Sequence, residues 1–430
     1  MAAQMHLNLF IMGCGHHRAA WRQPGSPVEH LGDIRYYEGL ARTAEHGKLD
    51  AVFFADGHAV GNVGGGPQWF LEPLTALAAM ARATERIGLI STVSSTFFSP
   101  FHAARMLASL DHISGGRMGW NLVTSMFDTE ARNHGFEAMP PAEARYARAE
   151  EFAETVLALW DSWSDDALRC DRQGQFADPS KVQPIHHHGD HFLVDGPLNV
   201  PRPPQGRPVL FQAGASEQGR DLAARYAEAI YAVAYDLPSA QAYYRDIQAR
   251  LCAAGRAPVA IMPGLVTYVA SSEAEAKARQ RALDELLPTE DSLQQLGQFI
   301  SRDCHGWDLD APVPDLPPLE DFAGPKGRYA TILRIIEREA PTLRQLLGRL
   351  AAGGGHCTMV GTPELIADEM QRWIEERGAD GFNLMPPSLP DGIEDFIEQV
   401  VPVLRARGLF RRDYAGRTLR DHLGLPRPAA

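Results

Sequence analysis

The sequence is poor in cysteine and has no long apolar run. Its 430 residues include 5 cysteines, whose odd number, wide spacing and lack of a CxxC pair argue against a disulfide framework or a structural zinc site. No window of about 18 residues is apolar throughout and free of charge, so we predict no membrane span and no membrane partner. The first six residues lack the basic stretch of a signal peptide. Together these absences predict a protein of the reducing cytoplasm.

Positive charge is also in short supply. Lysine and arginine number 41 against 54 aspartates and glutamates, which gives a formal net charge of −13 at pH 7. A nucleic-acid-binding protein usually carries a basic stripe, and the sequence shows none, so we expect no nucleic-acid partner. Hydrophobic residues make up 45% and charged residues 22% of the chain, a composition typical of a folded globular enzyme.

Short apolar runs alternate along the chain with segments of helical periodicity. Eight strands are predicted, at 6–12, 51–55, 87–94, 118–123, 209–212, 230–234, 265–270 and 381–384. The predicted helices cover about 33–47, 72–84, 101–113, 145–163, 217–227, 239–254, 272–286, 363–377 and 393–407. Near-continuous apolar strands are typical of a parallel sheet buried on both faces. The alternation predicts an α/β fold, a (β/α)8 TIM barrel, with an open doubly wound sheet as the alternative.

Two long stretches interrupt this alternation. Residues 164–207 are rich in Asp, His, Pro and Gly, and residues 288–328 contain many prolines. Both are too long for plain connections, so we expect insertions that build or cover a site. The polar tail 411–430 is either an arm that contacts another subunit or a frayed end. We therefore predict one barrel domain over 1–430 with two insertions and a C-terminal arm.

Paired histidines follow the first predicted strand, where the functional residues of such a barrel lie. His16 and His17 are candidates for acid/base groups, metal ligands or hydrogen-bonding groups. Adjacent side chains of an extended segment point apart, which disfavours a shared metal. The histidines of segment 186–191 also suggest a metal, but no carboxylates lie nearby in a helical arrangement. We therefore predict no metal site.

Polar residues follow the other strands. Asp56 comes after the second strand, Ser94 and Thr96 end the third, and Asn121 lies in the fourth. Each side chain either contacts a ligand or bonds to the local backbone. Ser216 follows the fifth strand, among glycines at the start of a predicted helix. Free N–H groups at such a helix start bind phosphate readily, although a plain N-cap explains the same serine.

Seven blocks of sequence, taken in order, resemble a known family. They are residues 8–10 (NLF), 15–17 with 21–22 (GHH, WR), 49–56 (LDAVFFAD), 109–117 (SLDHISGGR), 119–125 (GWNLVTS), 212–219 (QAGASEQG) and 378–384 (GADGFNL). The set resembles the bacterial-luciferase-like flavin-dependent monooxygenases, in the branch of nitrilotriacetate, long-chain alkane and dibenzothiophene-sulfone monooxygenases. The resemblance covers nearly the whole chain.

This resemblance implies a luciferase-like barrel and a two-component reaction. FMN would arrive reduced, as FMNH2, from a separate NAD(P)H:flavin reductase. With O2 as co-substrate, a flavin C4a-(hydro)peroxide would insert one oxygen atom into a small organic substrate. The residues implied to border the isoalloxazine and ribityl chain are Asp56, Ser94, Thr96 and Asn121, and those implied to hold the phosphate are Tyr146, Ala215 and Ser216. The catalytic candidates are His16 and His17, which would steer protonation or bind substrate.

The sequence departs from the family pattern at two positions. Ala142 stands where relatives often have a histidine one helical turn before Tyr146, and Met126 stands where some have a histidine after Ser125. Three alternatives stay open: a deazaflavin-dependent oxidoreductase, a non-catalytic flavin-binding protein, and a metal-dependent hydrolase barrel. Relatives pair through barrel helices, so a homodimer or homotetramer is expected. The substrate is not evident from the sequence.

Overall fold

Eight parallel strands close into a barrel, and a ninth pairs with only one of them. The structure is a computed structural model, which describes residues 4–61, 63–67, 71–322 and 326–429. The parallel strands are β1 His6–Phe10, β2 Ala51–Phe54, β3 Gly88–Ser94, β4 Met118–Val123, β5 Val209–Gln212, β6 Ala229–Ala232, β7 Ala260–Val269, β8 Cys357–Gly361 and β9 Gly381–Leu384. Strands β1 to β7 pair in chain order, and β9 closes the ring by pairing with β1 and β7. The predicted TIM barrel is confirmed, and the open sheet is not what forms.

One strand was missed by the sequence analysis and one was predicted too short. Strand β7 begins at Ala260, five residues before its predicted start, because Pro263 and Gly264 in its first half are residues that usually weaken a strand. The second half of β7 pairs with β8, over Cys357 to Gly361. Strand β8 alternates buried and half-buried residues, so it lacks the continuous apolar run by which most of the other strands were predicted.

The helices surround the barrel. They are α1 Ile34–His46, α2 Pro73–Ala83, α3 Pro100–Ser114, α4 Asp128–Asn133, α5 Ala142–Asp161, α6 Glu217–Tyr226, α7 Leu237–Ala253, α8 Glu273–Glu285, α9 Thr289–Ile300, α10 Lys326–Glu339, α11 Leu343–Ala351, α12 Pro363–Glu375, α13 Asp391–Asp395, α14 Val401–Ala406 and α15 Leu419–His422. A π-helical segment, Phe396–Val400, joins α13 to α14. All nine predicted helices are present. Within the described ranges, no helix combines the length and the apolar character that crossing a bilayer requires.

The first insertion is mostly irregular and is anchored to α5. Its only regular strands in the described chain are a short antiparallel pair, His187–His188 with Leu193–Val194. The carboxylate of Glu151 in α5 lies 2.9 Å from His187 Nε2 and accepts hydrogen bonds from the N–H groups of His191 and Phe192. The histidines that suggested a metal therefore hold this loop to the barrel wall.

The second insertion is largely helical, although no helix was predicted within it. Helix α9 lies within the predicted stretch, and α10 and α11 continue the insertion beyond residue 328. The three helices bury their own apolar cluster, with Leu296, Ile332, Ile335 and Leu346 among its members. Residues 323–325, inside the predicted insertion, lie outside the described residues. Apolar positions recur at helical spacing along this stretch, so each helix has an apolar face. Because these faces pack against one another, the helices form a layer separate from the barrel.

The C-terminal arm packs against the amino-terminal end of its own barrel. Leu419 of α15 is fully buried in the barrel's interior cluster. A Cβ atom at Gly88 would lie 2.5 Å from Leu419 Cδ1, and one at Gly119 would lie 2.9 Å from Cδ2. The neighbouring Arg420 donates to Glu228 at 2.7 Å. The arm therefore closes the bottom of the cylinder and is not a frayed end; Ala430 lies outside the described residues.

Replacing Leu419 should expose the dependence of the barrel on this arm. We expect Leu419→Ala to lower the free energy of unfolding by about 2–5 kcal/mol, because it leaves a cavity between glycines that cannot fill it. The measurement is urea unfolding followed by circular dichroism. Leu193→Ala is the control, since Leu193 is 75% exposed and its loss should cost no more than about 0.5 kcal/mol. Equal effects in the two variants would contradict the role of the arm.

Candidate functional site

A cavity of about 1630 Å³ opens at the carboxyl ends of the barrel strands. Its walls come from the segments that follow β1, β2, β4, β5 and β6, and helices α9 and α10 of the second insertion cover it. Pockets for a single drug-sized molecule reach roughly 1,000 Å³. The space is therefore large enough for a cofactor together with a second small molecule.

One end of the cavity is the start of helix α6. Ser216 is the N-cap of this helix, and its Oγ accepts the N–H of Gly219 at 3.1 Å. The hydroxyl of Tyr146, from α5, lies 3.1 Å from the same Oγ. Tyr146, Ala215 and Ser216 all line the cavity, so the structure brings together the three residues that the resemblance assigns to a phosphate.

Two glycines let the loop and the helix approach each other at this end. A Cβ atom at Gly214 would lie 2.7 Å from Gly219 Cα, a distance that side chains do not tolerate. The N–H of Gly214 donates to Gln212 Oε1 at 2.7 Å, which fixes the loop after β5. The loop after β5 and the first turn of α6 therefore pack backbone against backbone at this end of the cavity.

Cations stand beside this helix start. Arg220 lines the cavity and donates to Asp246 at 2.8 Å, and Arg145 lines it while donating to Pro140 O at 2.9 Å and to Ser125 O. Free N–H groups, the positive end of a helix dipole, hydroxyls and guanidinium groups are the donors that a phosphate requires. The residues at this end of the cavity fit the phosphate of a flavin mononucleotide.

His16 lies deep in the cavity wall. Its Nε2 is 3.0 Å from Phe10 O, and burial lowers the pKa of the imidazole to about 4. His356, which the sequence analysis missed, lines the same cavity with its Nε2 3.1 Å from the hydroxyl of Tyr231. Burial, together with the charge of Arg328, lowers the pKa of His356 to about 3. Both rings are therefore neutral at pH 7, and a neutral imidazole can donate one hydrogen bond and accept another.

His17 is held more firmly than His16. Its Nδ1 accepts the N–H of Ala19 at 3.1 Å, which places the proton on Nε2, and Nε2 lies 3.0 Å from Asp284 Oδ1. Both nitrogens are thus engaged in tying the loop after β1 to helix α8. We infer a positioning role for His17, and of the predicted pair only His16 has a ring nitrogen left for chemistry.

Asp56 does not line the cavity. Its carboxylate lies 3.0 Å from His58 Nε2, and hydrogen bonding to Asp56 raises the pKa of His58. His58 Nδ1 in turn lies 2.8 Å from Nε2 of His134. Asp56, predicted to contact the flavin, is therefore the first member of a polar chain that continues through His58 to His134.

The other three predicted flavin contacts lie just behind the wall. Ser94 pairs with the hydroxyl of Ser125 at 2.9 Å, and Thr96 donates to Thr124 O at 2.8 Å. Ser125 and Thr124 line the cavity, whereas Ser94 and Thr96 do not. Asn121 donates to Thr92 Oγ1 at 2.9 Å, and its buried Oδ1 has no partner in the described structure. These side chains support the surface that a ligand would touch.

The two departures from the family pattern lie on the cavity surface. Ala142, the first residue of α5, lines the cavity one turn before Tyr146, and Met126 lines it with 59% of its surface exposed. Neither side chain donates a hydrogen bond there. Among the described residues, no three His, Cys, Asp or Glu side chains form a group that could hold a metal ion.

The residues that the sequence analysis missed lie on the second insertion and beside it. Arg328 and Arg334 of α10 line the cavity, as does His356 just before β8. The prolines of 288–328 suggested an excursion that covers a site, but no pattern in the sequence identified which of its side chains face inward.

Comparisons with known proteins agree with this geometry. A family model described as luciferase-like monooxygenase matches residues 9–381. The chain is 44% identical to N-acetyl-S-(2-succino)cysteine monooxygenase of Bacillus subtilis (strain 168), covering 99% of this chain and 97% of that protein. It is 43% identical to nitrilotriacetate monooxygenase component A of Aminobacter aminovorans, with the same coverage of both chains.

A solved structure is similar over nearly the whole length. The crystal structure of riboflavin lyase with modified FMN and its substrate riboflavin superposes with a TM-score of 0.85 at 31% identity. The similarity covers 98% of this chain and 95% of that one. The fold described here is therefore one in which a flavin has been observed.

The neutral state of His16 generates a pH prediction. Between pH 6.5 and 4 the unfolded chain protonates this imidazole and the folded chain does not, so the free energy of unfolding falls as the pH falls. His16 alone should contribute a loss of about 3 kcal/mol over this range. Nitrogen NMR of labelled histidine, assigned with His16→Gln, should give a pKa of about 4. His102→Gln is the control, because His102 is exposed and its removal should leave the pH dependence of the free energy of unfolding unchanged. A measured pKa near 6.5 for His16 would contradict the burial of its ring.

Proposed function

The chain belongs to the luciferase-like monooxygenase family and is a flavin-dependent monooxygenase; from this premise we propose that it is the oxygenase component of a two-component system. It uses FMNH2 and O2 to insert one oxygen atom into a small organic substrate. The observation that carries the proposal is the phosphate cradle of Tyr146, Ser216 and the α6 N-terminus at one end of a cavity large enough for two ligands.

The cofactor-binding residues in this proposal fall into two groups. Tyr146, Ala215 and Ser216 hold the phosphate, and Ser94, Thr96 and Asn121 support the wall against which the ring system and ribityl chain lie. Asp56, whose carboxylate is paired with His58, remains in the proposed flavin-binding set. Reduced FMN supplies the activation of O2 when bound. The protein supplies orientation, a water-poor cavity and defined hydrogen-bond donors.

The chain's own contribution to the chemistry centres on the neutral imidazole of His16. Its Nε2 is held by Phe10 O, so Nδ1 is the nitrogen available to accept a hydrogen bond from the substrate or the cofactor. Low dielectric around the ring strengthens every such hydrogen bond. Helices α9 and α10 line the cavity opposite the barrel, and in this proposal they limit the access of water to the reacting groups.

A separate NAD(P)H:flavin reductase is the proposed partner. One relative is named as a component of nitrilotriacetate monooxygenase, and another, from Streptomyces pristinaespiralis, is named as one of the subunits of pristinamycin IIA synthase. These names support a reaction shared between two proteins. We further propose a cytoplasmic homodimer or homotetramer.

The experiment combines the purified chain with FMN, NADH, a separate flavin reductase and candidate substrates under ¹⁸O2. We expect flavin binding and a product that carries one ¹⁸O atom, detected by mass spectrometry, only when all components are present. Failure of the chain to bind FMN in either redox state would overturn the proposal. Product formation without the reductase, or ¹⁸O incorporation from labelled water, would overturn the two-component oxygenase.

The phosphate cradle yields a selective prediction. Tyr146→Phe removes one hydroxyl donor beside the phosphate, so it should weaken FMN binding about tenfold, the effect typical of a lost hydrogen bond to a charged group. Binding of riboflavin, which lacks the phosphate, should not change. Fluorescence titration measures both constants.

Tyr226→Phe is the matched control for this titration. Tyr226 lies in α6 outside the cavity, and its hydroxyl donates to Glu154 at 2.6 Å. Its loss should leave the affinity for both flavins unchanged. An equal loss of FMN and riboflavin binding in Tyr146→Phe would contradict the assignment of the phosphate to this end of the cavity.

A further inference from the structure

The charge of the cavity lining is opposite to that of the chain. The protein carries a net charge of −13, yet the described residues that line the cavity include five arginines and no aspartate or glutamate. Two of them, Arg145 and Arg220, stand beside the phosphate cradle. The other three are Arg18, Arg328 and Arg334. A cavity of this kind attracts anions, and more cations are present than one phosphate needs.

Arg328 and Arg334 differ from the other three because they lack partners. Arg220 is paired with Asp246, Arg145 donates to backbone carbonyls, and Arg18 donates to Asp291 O at 2.9 Å. Within the described part of the chain, neither Arg328 nor Arg334 has a hydrogen bond or an ion pair. Arg328 is exposed to the cavity and Arg334 is half-buried, so both guanidinium groups are free to bind an anion that enters the cavity.

The two arginines lie on one face of helix α10. Arg328, Thr331 and Arg334 are spaced three residues apart, and all three line the cavity. The Arg328 guanidinium stacks over the ring of Phe299 in α9, with Cζ 4.8 Å from the ring centroid. This stacking fixes the guanidinium plane and leaves its N–H groups directed to other partners. The roof of the cavity is thus a surface of ordered cationic donors.

Arg328 also lies near the groups of the barrel interior. Its charge is among the causes that lower the pKa of His356, whose Nε2 contacts the Tyr231 hydroxyl. Nδ1 of His356 is buried with no partner among the described residues. His16 acts on the same ring. Arg328 therefore faces the neutral imidazoles of the proposed reaction centre, while the phosphate cradle is built from α5 and α6.

We propose that Arg328 and Arg334 bind the carboxylates of the substrate, so that the enzyme acts on a small organic di- or tricarboxylate held under helices α9 and α10. The inference rests on the proposed function and adds the substrate class. Planar guanidinium groups pair with carboxylates through two parallel hydrogen bonds, which fixes orientation as well as charge. The substrate's reacting atom then lies between the roof and the flavin ring.

The test measures binding by calorimetry on the whole chain saturated with FMN. The probes are succinate, 2,2′-thiodiacetate and tricarballylate. Each is compared with the ester in which all of its carboxylates are methylated, which has the same skeleton without charge. We expect at least one acid to bind with a Kd below about 1 mM, and its ester not to bind. Binding of esters and acids alike, or of no acid, would overturn the proposal.

Arg328→Gln and Arg334→Gln should each weaken binding of that acid about tenfold to a hundredfold, as expected for a lost charge-assisted pair. Arg328→Lys should restore only part of the affinity, because it keeps the charge and loses the planar fork. The matched control is Arg344→Gln, in the same insertion, whose guanidinium pairs with Asp310 at 2.9 Å outside the cavity. It should bind the acid as the unchanged chain does.

Two further readouts separate the possible explanations. Arg328→Gln should change the thermal midpoint only slightly, because the side chain has no ion pair to lose and only its stacking on Phe299 is removed; a large fall in the midpoint would indicate a structural role and contradict the proposal. FMN affinity should also stay unchanged. If Arg328→Gln weakens FMN and not the acid, Arg328 binds the cofactor and the substrate class is wrong. If the chain binds the acid and no flavin, the proposed function fails and the anion site stands.

Discussion

Closure of the barrel is the constraint on which the rest of the structure depends. The last strand pairs with the first, and inside this seam the amide of Asn8 donates to Asn383 Oδ1 at 3.0 Å. Asn383 in turn donates to Met262 O at 2.8 Å, which extends the link to β7. Because all the strands are parallel, closure brings every carboxyl end to one rim. Residues as distant in sequence as His16, Ser216 and His356 meet there for that reason alone.

The two ends of the cylinder serve different purposes. At the amino-terminal end, Leu419 fills the space that Gly88 and Gly119 leave open, and buried ion pairs of the arm complete the seal. At the carboxyl-terminal end the helices of the second insertion cover a large cavity and do not fill it. Packing at the amino-terminal end stabilises the barrel. The carboxyl-terminal end can therefore hold polar groups and empty space, both of which lower the stability of the fold.

Local patterns in the sequence predicted the barrel and part of the site. Apolar runs fixed most strands, since a strand buried on both faces needs little beyond its own residues. The position of Ser216 at the start of α6 was predictable, because an N-cap has a local sequence signal; its role toward a phosphate stays a prediction. Arg328 and His356 were not predictable, because only the packing of the insertion over the barrel turns them inward. Asp56 is a strand-end carboxylate whose partner, His58, was likewise not evident from the sequence.

The arrangement of charge shows how an acidic protein could bind the anionic ligands that we propose. Charges on the outer surface are screened by salt over roughly 8–10 Å, so the net charge of −13 has little effect inside a covered cavity. Guanidinium groups within the cavity act at short range in a medium of low dielectric, where each interaction is several times stronger than in water. The cradle at α6 and the arginines of α10 belong to different elements of the fold. Two anions bound there would repel each other if they shared one site, whereas separate sites keep both charges paired and leave the space between them for an uncharged reaction centre.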